Sequence, residues 1–228
     1  MFYSAVAAGV PAEIAAEIIA AADAKHRKTG IASYASFSLH THDGKKEEHF
    51  MKIRNTEMTD WEEIQRIYAY ARMQMKKTGN PTQWGDYSPE EQTLLQDIEQ
   101  KNSYVVESNG KICGVFSFVI GEDPTYLIIE DGQWKNKAPY GTIHRLASDG
   151  TVRGMFEACL LYCKTLLPNI RIDTHYDNRI MQHLIEKNGF QRCGIIYIED
   201  GSPRIAYQWT GSVAEPMQET GEQQRKKA

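Results

Sequence analysis

Two groups of residues in this chain have the types and spacing to do chemistry. The first lies in the stretch Asn169–Phe190, NIRIDTHYDNRIMQHLIEKNGF. On a β-strand Arg171, Asp173 and His175 share one face, and Ile170 and Ile172 take the other. A carboxylate or an imidazole held there can accept a proton from an incoming nucleophile. His144, in GTIHRLAS, is a third candidate; in a regular strand it shares a face with Leu146 and Ser148. For an isolated imidazole such as His144 a structural role is the commoner one, so His144 and His175 stand as candidates by type. The second group is the segment SDGTVRGMF, Ser148–Phe156. A glycine-containing turn feeding a helix presents unpaired N–H groups and a positive dipole end, which suit an anion. Its alternative role is a plain β–α connection.

The elements that must position these residues follow from periodicity and punctuation. MKIRNT reads as a short strand opening at Met51. Thr59 followed by Glu62 is a capping-box pattern, predicting a helix to about Lys77 with Ile64, Ile67, Tyr68, Ala71 and Met75 on one face. Ser88-Pro89 with Glu91 predicts a second helix. SYVVES and KICGVFSFVI are strands joined across Asn109-Gly110, a strong hairpin signal. A long loop with aromatic residues runs from Gly121 to Tyr140, followed by the strand GTIHRLAS and a helix that Pro168 stops. The strand Ile170–Thr174 ends before Asp177-Asn178, good N-cap chemistry, and Asn188-Gly189 closes the next helix. QRCGIIYIE and PRIAYQW form a last hairpin across Asp200-Gly201.

The flanks read differently. Residues 1–50 offer an Ala-rich helix candidate, Pro11 to about Lys28, with a thin apolar stripe. SFSLHTHDGKKEEHF then reads as polar linker, so residues 1–50 are expected to be an extension and the domain to span 51–209. The polar, aperiodic residues 210–228 are expected to be a disordered tail.

At 228 residues, 41% apolar and 25% charged, the composition is that of a globular chain with one sizeable domain. A net charge of −4 argues against nucleic acid as a partner. No apolar run is long enough for a membrane span, and the opening residues lack the basic region of a signal peptide. The four cysteines form no CxxC pair and sit in apolar contexts, which predicts reduced, buried thiols and a cytoplasmic setting. His40, His42 and His49 match no tight ligand spacing, so no metal is expected.

Strand, acid, Asn-capped helix and closing Gly189-Phe190 resemble the second half of the fold of the GNAT N-acetyltransferase superfamily. The element order β-α-α-β-β-β-α-β-α-β-β matches that fold over roughly residues 51–209. The resemblance implies an α/β fold: a mixed, mostly antiparallel sheet flanked by helices, with a V-shaped cofactor cleft. It implies acetyl-CoA as acyl donor, its pyrophosphate at the glycine turn. Cofactor contacts would come from Leu146, Ser148, Gly150, Val152, Arg153, Gly154, Met155, Phe156 and Asn178. Of the family's Q/R-x-x-G-x-G/A pattern only Arg153-Gly154 remains, and the turn is about two residues shorter.

Asp173 matches a carboxylate that many members use as general base, with His175 and His144 as further candidates. Trp84, Tyr87 and Glu130 fall in segments bordering the acceptor site, where acids and aromatics suit a cationic amine. Many members carry a tyrosine in the last helix as general acid. The alignment puts Ile185 there, and leaves Tyr197 and Tyr207 as candidates only by type. The expected function is transfer of acetyl from acetyl-CoA to an amine of a small molecule or peptide, without a covalent acyl-enzyme, by a monomer or homodimer. A non-catalytic acyl-CoA-binding regulator is the alternative.

Overall fold

A computed structural model describes the backbone of residues 33–40 and 46–211, and the side chains of residues 51–211. The Ala-rich helix candidate and the tail beyond Gly211 lie outside the described residues, as do the side chains of His40, His42 and His49. Strands β1 (Ser33–His40) and β2 (Lys46–Asn55) pair antiparallel, with Ser33 opposite Ile53 and His40 opposite Lys46. The polar-linker expectation for this segment is therefore wrong, and the boundary at Met51 falls inside β2. Ser36-Phe37-Ser38-Leu39-His40 alternates with period two, a strand pattern hidden by its polar average.

Helix α1 (Trp61–Lys77) buries Ile64, Ile67 and Tyr68 as its spacing requires. Its entry is a 3-10 turn, Met58–Asp60, and the capping box joins Glu57 and Asp60 instead of Thr59 and Glu62. Asp60 accepts the Glu57 N–H at 2.8 Å while Arg54 clamps both its oxygens at 2.7 and 2.9 Å. That bidentate pair fixes the chain entry. Helix α2 (Glu91–Glu99) starts at the N-cap Glu90, later than the Ser88 cap expected, because the Ser88 N–H closes a turn onto the Trp84 carbonyl.

Strands β3 (Ser103–Ser108) and β4 (Lys111–Ile120) form the expected hairpin, with Asn109 and Gly110 both at positive φ, +51° and +73°. Both central residues of a type I′ turn take that conformation. After them come β5 (Gly141–Ser148), α3 (Met155–Leu166), β6 (Asn169–Thr174), α4 (Arg179–Lys187), β7 (Gln191–Tyr197) and β8 (Pro203–Thr210). The sheet order is β1-β2-β3-β4-β5-β6-β8-β7. One pair, β5 with β6, is parallel, and the pairing lasts only from Gly141–Ile143 to Ile170–Ile172.

Two cores sandwich this sheet. Phe156, Cys159, Leu160 and Cys163 of α3 pack with Ile143, Ile170 and Ile172, all at most 4% exposed. On the other side Ile64, Ile67 and Tyr68 of α1 and Leu94 and Ile98 of α2 cover Val105, Val115 and Ala147. Each large side chain buried in this way contributes about 1.5–3 kcal/mol. All four cysteines are free and buried, as expected.

Candidate active site

The sheet is tight on one side of Ile143 and Ile172 and split on the other. Past this pair, His144–Ser148 stay with β4, while Asp173 and Thr174 stay with β8. The side of β5 facing the gap thus keeps main-chain groups without a strand partner. A bulge sharpens the split. Arg145 sits at φ +52°, and the β4–β5 register shifts around Phe116. Ile143 and Leu146, three residues apart, consequently both pack on the α3 core. Regular alternation, which would put His144 and Leu146 on one face, is broken here.

The gap opens into a cavity of about 530 Å³. Of the residues expected at the site, Asp173, His144, Leu146, Asn178 and Trp84 line it. His144 Nε2 lies 2.9 Å from Asp123 Oδ2, both side chains less than a fifth exposed. Burial presses the Asp123 carboxyl upward, but the hydrogen bond and charge of His144, with the N–H and hydroxyl of Thr125, hold it down to about 2. A carboxylate on one ring nitrogen fixes the imidazole so that the other nitrogen carries the lone pair. The Tyr126 hydroxyl donates to Asp173 Oδ1 at 2.6 Å, and its ring meets the His144 ring edge-on. Burial, then the charge of Asp173, pushes the Tyr126 phenol well up, so it stays a donor. Arg204 Nε stands 3.9 Å from Asp173 Oδ2. Asn178 caps α4, accepting the Met181 N–H at 3.1 Å, and donates to Gln83 at 2.9 Å. Trp84 packs edge-on to Tyr68, whose hydroxyl donates to the Arg145 carbonyl at the bulge.

The glycine turn is built as an anion site in part. Gly150 and Gly154 hold φ of +75° and +78°, Gly154 as N-cap of α3. A side chain on Gly150 would come within 2.7 Å of the Tyr70 hydroxyl. Arg153 is exposed, and the first N–H groups of α3 have no intrahelical partner. Met155 and Phe156, expected at the cofactor, are 6% and 4% exposed with side chains in the core, and Val152 packs against it too. These three can therefore offer only main chain. Ser148 Oγ accepts the Gly150 N–H, and Asp149, bound by Arg66, accepts the N–H and hydroxyl of Thr151. Two turn amides are thus spent internally.

Other expected residues stand apart from the cavity. His175 does not line it; its Nδ1 accepts the Asp177 N–H at 3.2 Å, and burial, then the charge of Arg204, lowers its pKa. Tyr87 is 86% exposed, and Glu130 accepts the Tyr197 hydroxyl on the outer side of β7. Ile185 is fully buried, so no acid stands there. The Tyr207 hydroxyl donates to Glu186, and neither Tyr197 nor Tyr207 reaches the cavity. Sequence reasoning missed Asp123, Glu199, Asp200 and Arg204, all on the cavity wall. Arg204 did carry a signal: a charged residue one position before Ile205 in an apolar strand. Asp123 carried only a loop signature, Asp-Pro.

No family model matches this chain, and a comparison with curated proteins finds no match. Solved structures do match. A GNAT-family acetyltransferase from Streptococcus agalactiae is 29% identical with a TM-score of 0.62, the match covering 71% of this chain and 96% of that one. A GNAT-family acetyltransferase from Listeria monocytogenes shares the fold at 19% identity and a TM-score of 0.54, over 71% of this chain and 95% of the other. The sheet order, the three-residue β5–β6 pairing and these likenesses lead to one conclusion: the chain has the fold of the GNAT superfamily and resembles its acetyltransferases.

Proposed function

We propose that the chain is an N-acetyltransferase that passes the acetyl group of acetyl-CoA directly to an amine of a small molecule or peptide. The observation that carries this reading is the His144–Asp123 pair at the point where β5 and β6 part, on the wall of a polar cavity. An ammonium must lose a proton before its nitrogen can attack a thioester. His144, held by Asp123, takes that proton. Imidazole is the side chain most often used as a general base in such a step. Asp173 is already engaged by Tyr126 and faces Arg204. It holds the ammonium in place and is the second candidate for the base.

In the step itself the amine nitrogen forms a bond to the acetyl carbonyl carbon, and the carbon–sulfur bond breaks. The nitrogen gives up its second proton, and the thiolate of coenzyme A ends as the free thiol. Unpaired N–H groups on the gap side of β5 polarise the carbonyl as charge builds on its oxygen. Holding both substrates at the gap supplies much of the remaining rate. The pyrophosphate rests on the main chain of Gly150–Phe156 with Arg153, and the pantetheine arm passes Asn178. Cavity acids Glu90, Asp123, Asp173, Glu199 and Asp200 favour a cationic acceptor.

Release of free thiol from acetyl-CoA, followed with a panel of amines, tests the reading. Turnover with at least one amine is expected. Acetyl-CoA binding without turnover on any amine would favour a non-catalytic acyl-CoA-binding regulator. Two observations give that reading its standing: Ile185 replaces the acid on α4, and Asp149 takes an amide of the phosphate turn.

A further inference from the structure

Arg54, Arg145, Arg171 and Arg204 are buried or half-buried, and they differ in how their charge is met. Arg54 is clamped to Asp60 and also bonded to Glu107. Arg145 makes a two-pronged contact with Asp97, at 2.7 and 2.8 Å. Arg171, 5% exposed, lies against the rings of Trp134 and Tyr140 at 3.9 and 3.7 Å and donates to the Asn136 carbonyl, while its Nε is without a partner among the described residues. Arg204 has an acid nearby but no hydrogen bond to it. It is 6% exposed and lines the cavity. Among the described residues its polar contacts are a 3.0 Å hydrogen bond from Nη1 to the Pro203 carbonyl and the Asp173 carboxylate, 3.9 Å from Nε. The second distance is too long for a hydrogen bond.

A guanidinium has five N–H donors, and with one hydrogen bond made Arg204 keeps donors for a ligand in the cavity it lines. Its planar fork matches a carboxylate in two-pronged fashion. Around it the wall is acidic, with Asp173 beside it and Asp123, linked through Tyr126 and His144, further along. A simple amine would satisfy the acids and leave those donors unused. A molecule bearing both charges would satisfy both.

We propose that the acceptor is a free amino acid, whose carboxylate is bound by Arg204 while its ammonium lies toward Asp173, Asp123 and His144. This rests on the acetyltransferase reading and narrows its substrate class. Asp173 positions Arg204 and so helps to set the distance between the two charges.

The test compares acetyl-CoA turnover by the full chain on the twenty standard amino acids and on their α-amides, which keep the amine and lose the anion. At least one amino acid should exceed its amide in kcat/KM by roughly 10- to 100-fold, the usual worth of a charged hydrogen-bonding partner. In Arg204→Gln that ratio should collapse toward one, chiefly through a rise in KM for the amino acid. Arg204→Lys, which keeps the charge but loses the fork, should retain part of the ratio. Equal turnover of amides and amino acids overturns this inference while the acetyltransferase reading survives. An unchanged ratio in variants that melt like the parent overturns it too. Absence of turnover with every amine and amino acid removes both. Should neither variant fold, the amide comparison in the unaltered chain decides.

Discussion

His144 and Asp123 carry the proton chemistry in this account, and each can be tested alone. His144→Gln should lower kcat by roughly 10²- to 10⁴-fold, the usual worth of a general base, with acetyl-CoA affinity unchanged by calorimetry. Raising pH should recover part of the loss, since more acceptor then arrives deprotonated. Asp173→Asn should cost less than about tenfold in kcat and act mainly on acceptor KM, because a holding carboxylate contributes binding more than proton transfer. The reverse ranking of the two variants would make Asp173 the base. Asp123 also has a stability signature. Its folded pKa, about 2, lies below the unfolded value, so its contribution is complete above pH ~4 and disappears as pH falls through about 2. Thermal melts between pH 5 and 2 should therefore fall less steeply for Asp123→Asn than for the parent, by on the order of 2 kcal/mol. Identical slopes would mean the carboxylate is not held by His144 in solution. Asp173 and Asn178 could be read from the sequence because strand alternation and cap chemistry are local, and His144 only by its type, because the β5 bulge breaks the alternation there. Asp123 could not, and Arg204 offered only its charge within an apolar strand, since each gains its place only where a loop and the β7–β8 hairpin border the gap.

Among the elements, the strand-to-helix turn before α3 is the proposed seat of the coenzyme A pyrophosphate. Arg153 is its exposed cation, and Asp149 sets a negative charge a few residues before it. Arg153→Glu should weaken acetyl-CoA binding by roughly tenfold or more, as reversing a charge beside a phosphate does, with no change in melting temperature. Equal affinity would remove the turn from the cofactor site. Gly154, at φ +78°, has a conformation that proline cannot take, so proline there would confound binding with folding. The Asn109-Gly110 hairpin and the helix capped by Asn178 were legible because their signals are short-range. The β5 bulge was not. Nothing about an arginine announces a positive φ, and the shift is imposed by β4 across the pair. Ser88 and Thr59 were read as caps by type. Competing partners, Trp84 for the one and the Arg54–Asp60 clamp near the other, moved both helix starts.

For the molecule as a whole, the order of elements from Met51 onward was readable because each hairpin and crossover is separately punctuated. Strand β1 was lost because its polar average masks a short alternation. Strand β3 pairs with β2 from Met51 to Asn55 only, so a chain beginning at Met51 keeps that register. We expect such a chain to fold and to bind acetyl-CoA with unchanged affinity. A stability loss beyond about 2 kcal/mol, large against single-domain stabilities, would show that the earlier residues belong to the domain. The central claim, direct acetyl transfer to an amine at the β5–β6 gap, is tested most directly by acetyl-CoA labelled with carbon-13 in its acetyl group. The full chain is incubated with it and a panel of amines that includes the twenty amino acids, and the label is followed by NMR. The account predicts label in an N-acetyl amide, matched one for one by free thiol and absent from the protein. Label that stays on coenzyme A, or that accumulates on a side chain of the protein, would contradict it.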